Sequence, residues 1–147
     1  MSNYTSAYPT GASYDPSLTE LLETFYKSAD LPPGEDQEVY VNSFTEDAIL
    51  QIGDKINARG RDEIVQAKKD MWTYVARREH DPVQVFPGKF GDVDELMLHG
   101  SAKLWAREGG AESEINWSGH MRLAKQDGGL KIQEYHVHMV STAAVLL

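Results

Sequence analysis

Five histidines, at positions 80, 99, 120, 136 and 138, hold most of this chain's capacity to exchange protons near neutral pH. Two of them stand two residues apart in the run Glu134-Tyr135-His136-Val137-His138-Met139-Val140. Alternate residues of a strand lie about 7 Å apart on one face, so two imidazoles placed this way could converge on one ion. A catalytic metal needs a third ligand, and neither a HEXXH pattern nor an acidic cluster supplies one here. We therefore expect no metal. The other chemistry open to these residues is acid/base work: a histidine facing a carboxylate desolvated in an apolar pocket can move a proton to and from a carbon beside a carbonyl. The pieces available are His80, His99, His136 and Glu134, with Asp47 as a further carboxylate just before an apolar run. Taken singly, each histidine is equally explained as a satisfied or solvent-facing side chain, and Asp47 as a turn residue.

Composition narrows the partners. The 147 residues suit one domain with a real core, and the absence of cysteine excludes disulfides and thiolate zinc sites. Fourteen basic against 23 acidic residues give a net charge of −9, with no basic stripe, which argues against nucleic acid and anionic membranes as partners. A neutral or cationic small ligand remains open. No apolar run approaches the roughly 20 residues that span a bilayer, and the first residues, MSNYTSAYPTGASYDPS, resemble no leader. A cytoplasmic protein is expected.

The elements that must position these residues can be read from periodicity. Residues 1–16 are polar and aperiodic, a tail, with a single domain over 17–147. Leu18, Leu21, Leu22, Phe25, Tyr26 and Ala29 follow amphipathic-helix spacing, begun by Asp15 or Ser17 and stopped by LPPG at 31–34. A short helix over 35–44 would bury Val39, Tyr40 and Phe44, and two strands, 48–53 and 55–60, flank a Gly53-Asp54 turn. A third helix is predicted over 61–76, with its acidic first turn suited to the dipole and much of its charge solvated. Period two then takes over, predicting strands at 79–88, 94–108, 112–126 and 129–141. Helices followed by an antiparallel meander predict an α+β two-layer domain.

Strand parity sets the facing. In the third of these strands Ile115, Trp117, Gly119, Met121 and Leu123 must turn to the core, which sends Asn116, Ser118, His120 and Arg122 outward. The last strand conflicts with itself: its first half wants Ile132 inside, its second half Val137 and Met139. A bulge near 133–135 would satisfy both and bring Tyr135 inward; without one, Glu134, His136 and His138 would enter together. His99, between Leu98 and Gly100, is not decided by parity.

The order of elements, the stretch FTEDAILQIGDKINARGRDEIVQ (44–66), and the later strands DELMLHGSAKLWARE and INWSGHMRLAKQDGGLKIQEYHVHM resemble the SnoaL-like family of the nuclear transport factor 2-like superfamily. The tryptophan-bearing strand followed by Leu-Lys-Ile and Tyr135 is similar to fungal-type members. The resemblance spans about residues 17–142. It implies a cone: three N-terminal helices packed on a strongly curved, mainly antiparallel sheet around an apolar pocket. It also implies a cofactor-free lyase or isomerase, of cyclase or dehydratase type, acting by acid/base chemistry on a hydrophobic polyketide- or terpenoid-like molecule of secondary metabolism. The catalytic groups would come from His99, Glu134, His136, His80 and Asp47, and the aromatic lining from Tyr26, Tyr40, Trp72, Trp105, Trp117 and Tyr135. The alternative is a non-catalytic ligand-binding or dimerisation module of the same fold. In either case a homodimer through the sheet face is expected.

Overall fold

The computed structural model describes residues 4–35, 37–81 and 83–139. Asp36 and Pro82, inside the expected second helix and first meander strand, and residues 140–141 of the expected last strand lie outside that set. Helix α1 (Ser17–Ala29) forms where the apolar stripe predicts it. Its start is fixed by Asp15, whose Oδ1 accepts the Ser17 amide at 2.9 Å and the Ser17 hydroxyl at 2.8 Å. Asp30 ends it, its amide bonding back to the carbonyls of Tyr26 and Lys27. A short α2 (Gln37–Asn42) buries Tyr40 and Val41, and the hairpin β1 (Phe44–Ile52) and β2 (Ile56–Arg59) turns at Gly53-Asp54.

The third helix departs from its predicted length. α3 runs only Arg61–Met71, and Trp72 caps it. Val75–His80 is a separate strand, β3, because its β-branched and charged residues pair along the C-terminal half of a long neighbour instead of extending the helix. The single strand expected over 79–88 is thus the end of β3 followed by β4 (Gln84–Phe90). Then come β5 (Val93–Ala106), β6 (Glu112–Gln126) and β7 (Gly129–Met139). The sheet order is β2-β1-β7-β6-β5-β3, with β4 on the same edge of β5 as β3. Every pairing is antiparallel except β1 with β7, so the strongly curved sheet is mixed.

Core residues come from one face of the sheet and the buried stripes of the helices. Leu22, Phe25, Leu50, Ile64, Leu96, Leu98, Met121 and Ile132 are all at most 2% exposed. Inside this apolar layer lies a cation, Lys68 of α3, whose Nζ donates to the Ser28 carbonyl at 2.8 Å and sits 4.9 Å from the Tyr40 ring centre. The N-terminal segment lies on this body: Ala7 exchanges backbone bonds with Val83 and Val85, and Tyr4 and Tyr8 pack against the core. No helix among the described residues is long and apolar enough to cross a membrane.

The register of β7 has a bulge, the first of the two alternatives that the sequence left open. Arg122 pairs with Glu134 while its neighbour Leu123 pairs with Ile132, so Gln133 is the extra residue. Ile132 and Tyr135 consequently both face the core, at 0% and 5% exposure.

Candidate active site

A cavity of about 510 Å³ lies between the helices and the inner face of the sheet. α1 contributes Phe25, Tyr26 and Ala29, and α2 contributes Tyr40. The β1–β2 turn closes one side, and β5, β6 and β7 supply Leu104, Ile115, Trp117, Tyr135, Val137 and Met139. Its walls are mainly apolar, as small-molecule sites are. A second cleft, of about 380 Å³ beneath the N-terminal segment, contains no histidine.

Close packing of the aromatic floor depends on two glycines. A Cβ on Gly100 would stand 2.9 Å from Cζ2 of Trp117, and one on Gly119 would stand 2.9 Å from Cε1 of Tyr135. Neither glycine has a left-handed backbone, so the requirement is space: each lets a ring from the adjoining strand lie flat across the sheet.

The histidine in this cavity is His80, delivered by β3. Its Nδ1 lies 2.6 Å from Oδ1 of Asp30, and its backbone amide donates to Oδ2 of the same carboxylate at 2.7 Å. The Tyr4 hydroxyl donates to Oδ2 at 2.8 Å. An ionised carboxylate is acceptor-only, so this arrangement fixes the proton on Nδ1 and makes Nε2 the basic nitrogen of the neutral ring. Asp30 stands at the C-terminus of α1, where the helix dipole disfavours a negative charge. The three donors offset that penalty. The imidazole is flanked by Tyr26, 5.1 Å between ring centres, and by Trp117 at 6.0 Å.

Beside it the hydroxyls of Tyr26 and Tyr135 are 2.9 Å apart. Burial pushes both phenols above the ordinary tyrosine value, as it does Tyr40. They stay protonated and can act as hydrogen-bond donors. Arg78, two residues before His80, also lines the cavity, and burial lowers its guanidinium from the usual arginine value.

Of the expected catalytic residues, His80 alone reaches this cavity. The inward placement considered for His99, Glu134 and His136 is corrected by register. On β5 the residues alternating with His99 are buried Leu98 and Gly100, so His99 points outward, 3.4 Å from Gln84. The β7 bulge sends Glu134 and His136 to the outer face, where Glu134 meets Arg122 and His136 lies beside His120. Asp47 is exposed in the irregular part of the β1–β7 pairing, accepting bonds from Thr45 and Gln133 that hold its carboxyl below the usual range, Gln133 foremost. It stands within β1, outside the cavity lining.

Among the expected aromatic residues Tyr26, Tyr40, Trp117 and Tyr135 line the cavity. Trp72 is buried behind it as the cap of α3, and Trp105 is on the outer face with Arg77 stacked 4.4 Å from its ring. Sequence reading missed Asp30 and Arg78. Asp30 continues the buried stripe at Leu22 and Tyr26 by one more helical turn, a signal that was present. Arg78 shares parity with His80, which was hidden while Val75 and Ala76 were assigned to a helix.

No protein-family model matches this sequence, and no curated protein matches it. Solved structures do. A scytalone dehydratase-like protein of Novosphingobium aromaticivorans DSM 12444 superposes with a TM-score of 0.74 at 12% identity, covering 85% of this chain and 83% of that one. A type 2 hexachlorocyclohexane dehydrochlorinase, LinA, gives 0.71 at 13% identity, covering 85% and 84%. ActVI-ORFA of Streptomyces coelicolor gives 0.69 at 17%, covering 84% and 94%. A nuclear transport factor 2-like superfamily protein of Salmonella enterica has the same architecture, at 0.69 and 14%. At these identities the likeness is one of fold: the chain has the nuclear transport factor 2-like α+β cone.

Proposed function

We propose that this protein is a cofactor-free lyase or isomerase in which His80 exchanges a proton with a carbon next to a carbonyl. The observation that carries the proposal is the Asp30–His80 pair, set in the wall of an apolar cavity with its tautomer fixed. Nε2 of His80 takes the proton, and the C–H electron pair becomes the double bond of an enolate. The Tyr26–Tyr135 hydroxyl pair donates to the oxygen on which charge develops. From the enolate, return of the proton at another carbon gives an isomer. Expulsion of a leaving group from the β-carbon with its bonding electrons gives a lyase product. Asp30 stays ionised and stabilises the imidazolium.

Support for this chemistry also comes from neighbours described as a dehydratase-like protein and a dehydrochlorinase, both names of elimination reactions. A polyketide- or terpenoid-like substrate suits the aromatic walls and the resemblance to fungal-type SnoaL-like proteins. The test is deuterium uptake from D2O at the acidic carbons of a bicyclic ketone panel headed by 2-tetralone, followed by NMR. Wild type should accelerate uptake and His80→Gln should not. Equal rates for the two proteins, or no acceleration across the panel, would reject the reading.

A further inference from the structure

We propose that the ligand of this cavity is a mainly apolar carboxylate, a monoanion gripped by Arg78. The inference deepens the acid/base reading, on which it rests for the position of the reacting carbon. Arg61, Arg77 and Arg122 each meet a carboxylate at the surface. Arg78 is the arginine drawn into the cavity wall, and its partners are neutral: Nη2 donates to the Met71 carbonyl at 3.0 Å, Nη1 to Met71 Sδ at 3.7 Å, and the Trp72 ring centre is 5.5 Å away. Among the described residues no carboxylate forms an ion pair with it. Asp30 exerts some field on the guanidinium, but its oxygens already accept from His80 and Tyr4. Arg78 Nε is buried with no acceptor among the described residues, and so is Nε1 of Trp117 in the same lining.

A desolvated guanidinium without an anion is costly, and an anion supplied by the ligand offsets the cost. Its planar fork matches a carboxylate by two parallel bonds. One cation amid apolar walls balances one negative charge, which favours a carboxylate over a phosphate dianion. The mouth adds no preference, since Asp54 and Lys55 there have opposite signs. The chain as a whole, at −9, repels anions, so an affinity for them must arise locally. Arg78 and His80 are alternate residues of β3, about 7 Å apart along one face. A carboxylate on Arg78 therefore leaves the far side of a ring-sized body next to His80.

The experiment is a calorimetric comparison of 2-naphthoate with its neutral isostere 2-naphthamide at pH 7.5. Wild type should bind the carboxylate about 10- to 100-fold more tightly, the range of a charge-assisted bond in a desolvated site. Arg78→Gln should abolish the preference and Arg78→Lys should keep part of it. Equal affinities in wild type, no binding of either probe, or a preference that survives Arg78→Gln would overturn the proposal. The wild-type comparison stands even if a variant fails to fold. His80→Gln separates the two readings: if Arg78 holds the ligand, that variant keeps the carboxylate preference while losing proton exchange. Loss of preference in both variants would place the anion on His80 and overturn the assignment to Arg78.

Discussion

The inner and outer faces of the sheet carry similar residue types in different surroundings. On the outer face Glu95, Arg122 and Glu134 line up across β5, β6 and β7, with Met97, His120 and His136 as the next row and His99, Ser118 and His138 beyond it. Four of the five histidines are there. On the inner side the cavity has one histidine with a carboxylate behind it, a pair of hydrogen-bonded tyrosines and Arg78, set among mainly apolar side chains. Water screens the outer groups and their partners are interchangeable. The inner groups are desolvated, and the imidazole is held in one tautomer. Number of titratable residues is therefore a poor guide to chemistry; enclosure and a fixed proton position decide it.

The sharpest way to break this contrast is to exchange chemistry for shape on each face. Asp30→Asn and His80→Gln are each expected to slow proton exchange by about 10²- to 10⁴-fold, the usual contribution of a positioned acid or base. Asp30→Asn acts by weakening control of the tautomer. His99→Gln, Glu134→Gln and His136→Gln should stay within about twofold of wild type, as surface changes do. Deuterium uptake measured side by side at one pH gives the comparison, and a large loss from any outer-face variant would overturn it.

Next in size is the packing of the inner floor. Gly119→Ala must push against the Tyr135 ring, and Gly100→Ala against Trp117. Each should cost about 1–3 kcal/mol in urea denaturation, as overpacking of a filled interior does. Gly88→Ala on β4, whose Cβ would meet only ordinary contacts at 3.7 Å and beyond, is the matched control and should change little. Equal effects at all three positions would mean that the rings yield freely and that the floor is not tightly packed.

Fold class was legible because it rests on patterns that survive burial: the α1 stripe, the alternation Ile115-Trp117-Gly119-Met121-Leu123, and turn glycines between long strands. The β7 bulge was one of two readings the pattern left open: it alone lets Ile132 and Val137 both be core, whereas an unbulged strand would turn Glu134 and His136 inward. The site was much less so. His80 could be named, but its partner is 50 residues away at a helix end, and no local pattern joins the two. Val75 and Ala76 looked helical because the periodicity of α3 carries on into them; the pairing with β5 that makes Val75–His80 one strand is a tertiary fact. Conversely, His136 and Glu134 drew attention by proximity in sequence, which along a bulged strand says little about which face a side chain takes.

A third expectation concerns alkali. Tyr26, Tyr40 and Tyr135 have folded-state values raised by burial above the ordinary 10.0. The neutral phenol is the form the fold favours, so their contribution is fully present below pH 10 and is lost as pH rises from there toward the folded values. Phenolate absorbance near 295 nm should show that these three ionise together with unfolding, whereas the outer face contributes nothing comparable. Ionisation of all seven tyrosines in a chain that stays folded would contradict the enclosure on which the site depends.

The smallest effect belongs to the outer charge row and has the opposite sign in pH. Arg122 Nε donates to Glu95 Oε1 at 2.9 Å, and this bond, more than the 3.4 Å approach of His120, holds the Glu95 carboxyl below its ordinary 4.5. A lowered folded value means that the contribution is present above about pH 4.5 and lost as pH falls through the folded value. Glu95→Gln should therefore flatten the acid limb of the stability curve, its small loss of stability being present at pH 7 and vanishing as pH falls through the folded value. Salt near 1 M, with a Debye length of about 3 Å, should erase most of the difference between the two proteins. The same variant should leave proton exchange untouched, because Glu95 is on the far side of the sheet from His80. If it lowered exchange tenfold while its acid limb stayed normal, the outer row would be acting on the chemistry through the sheet, and the division between the faces would fail.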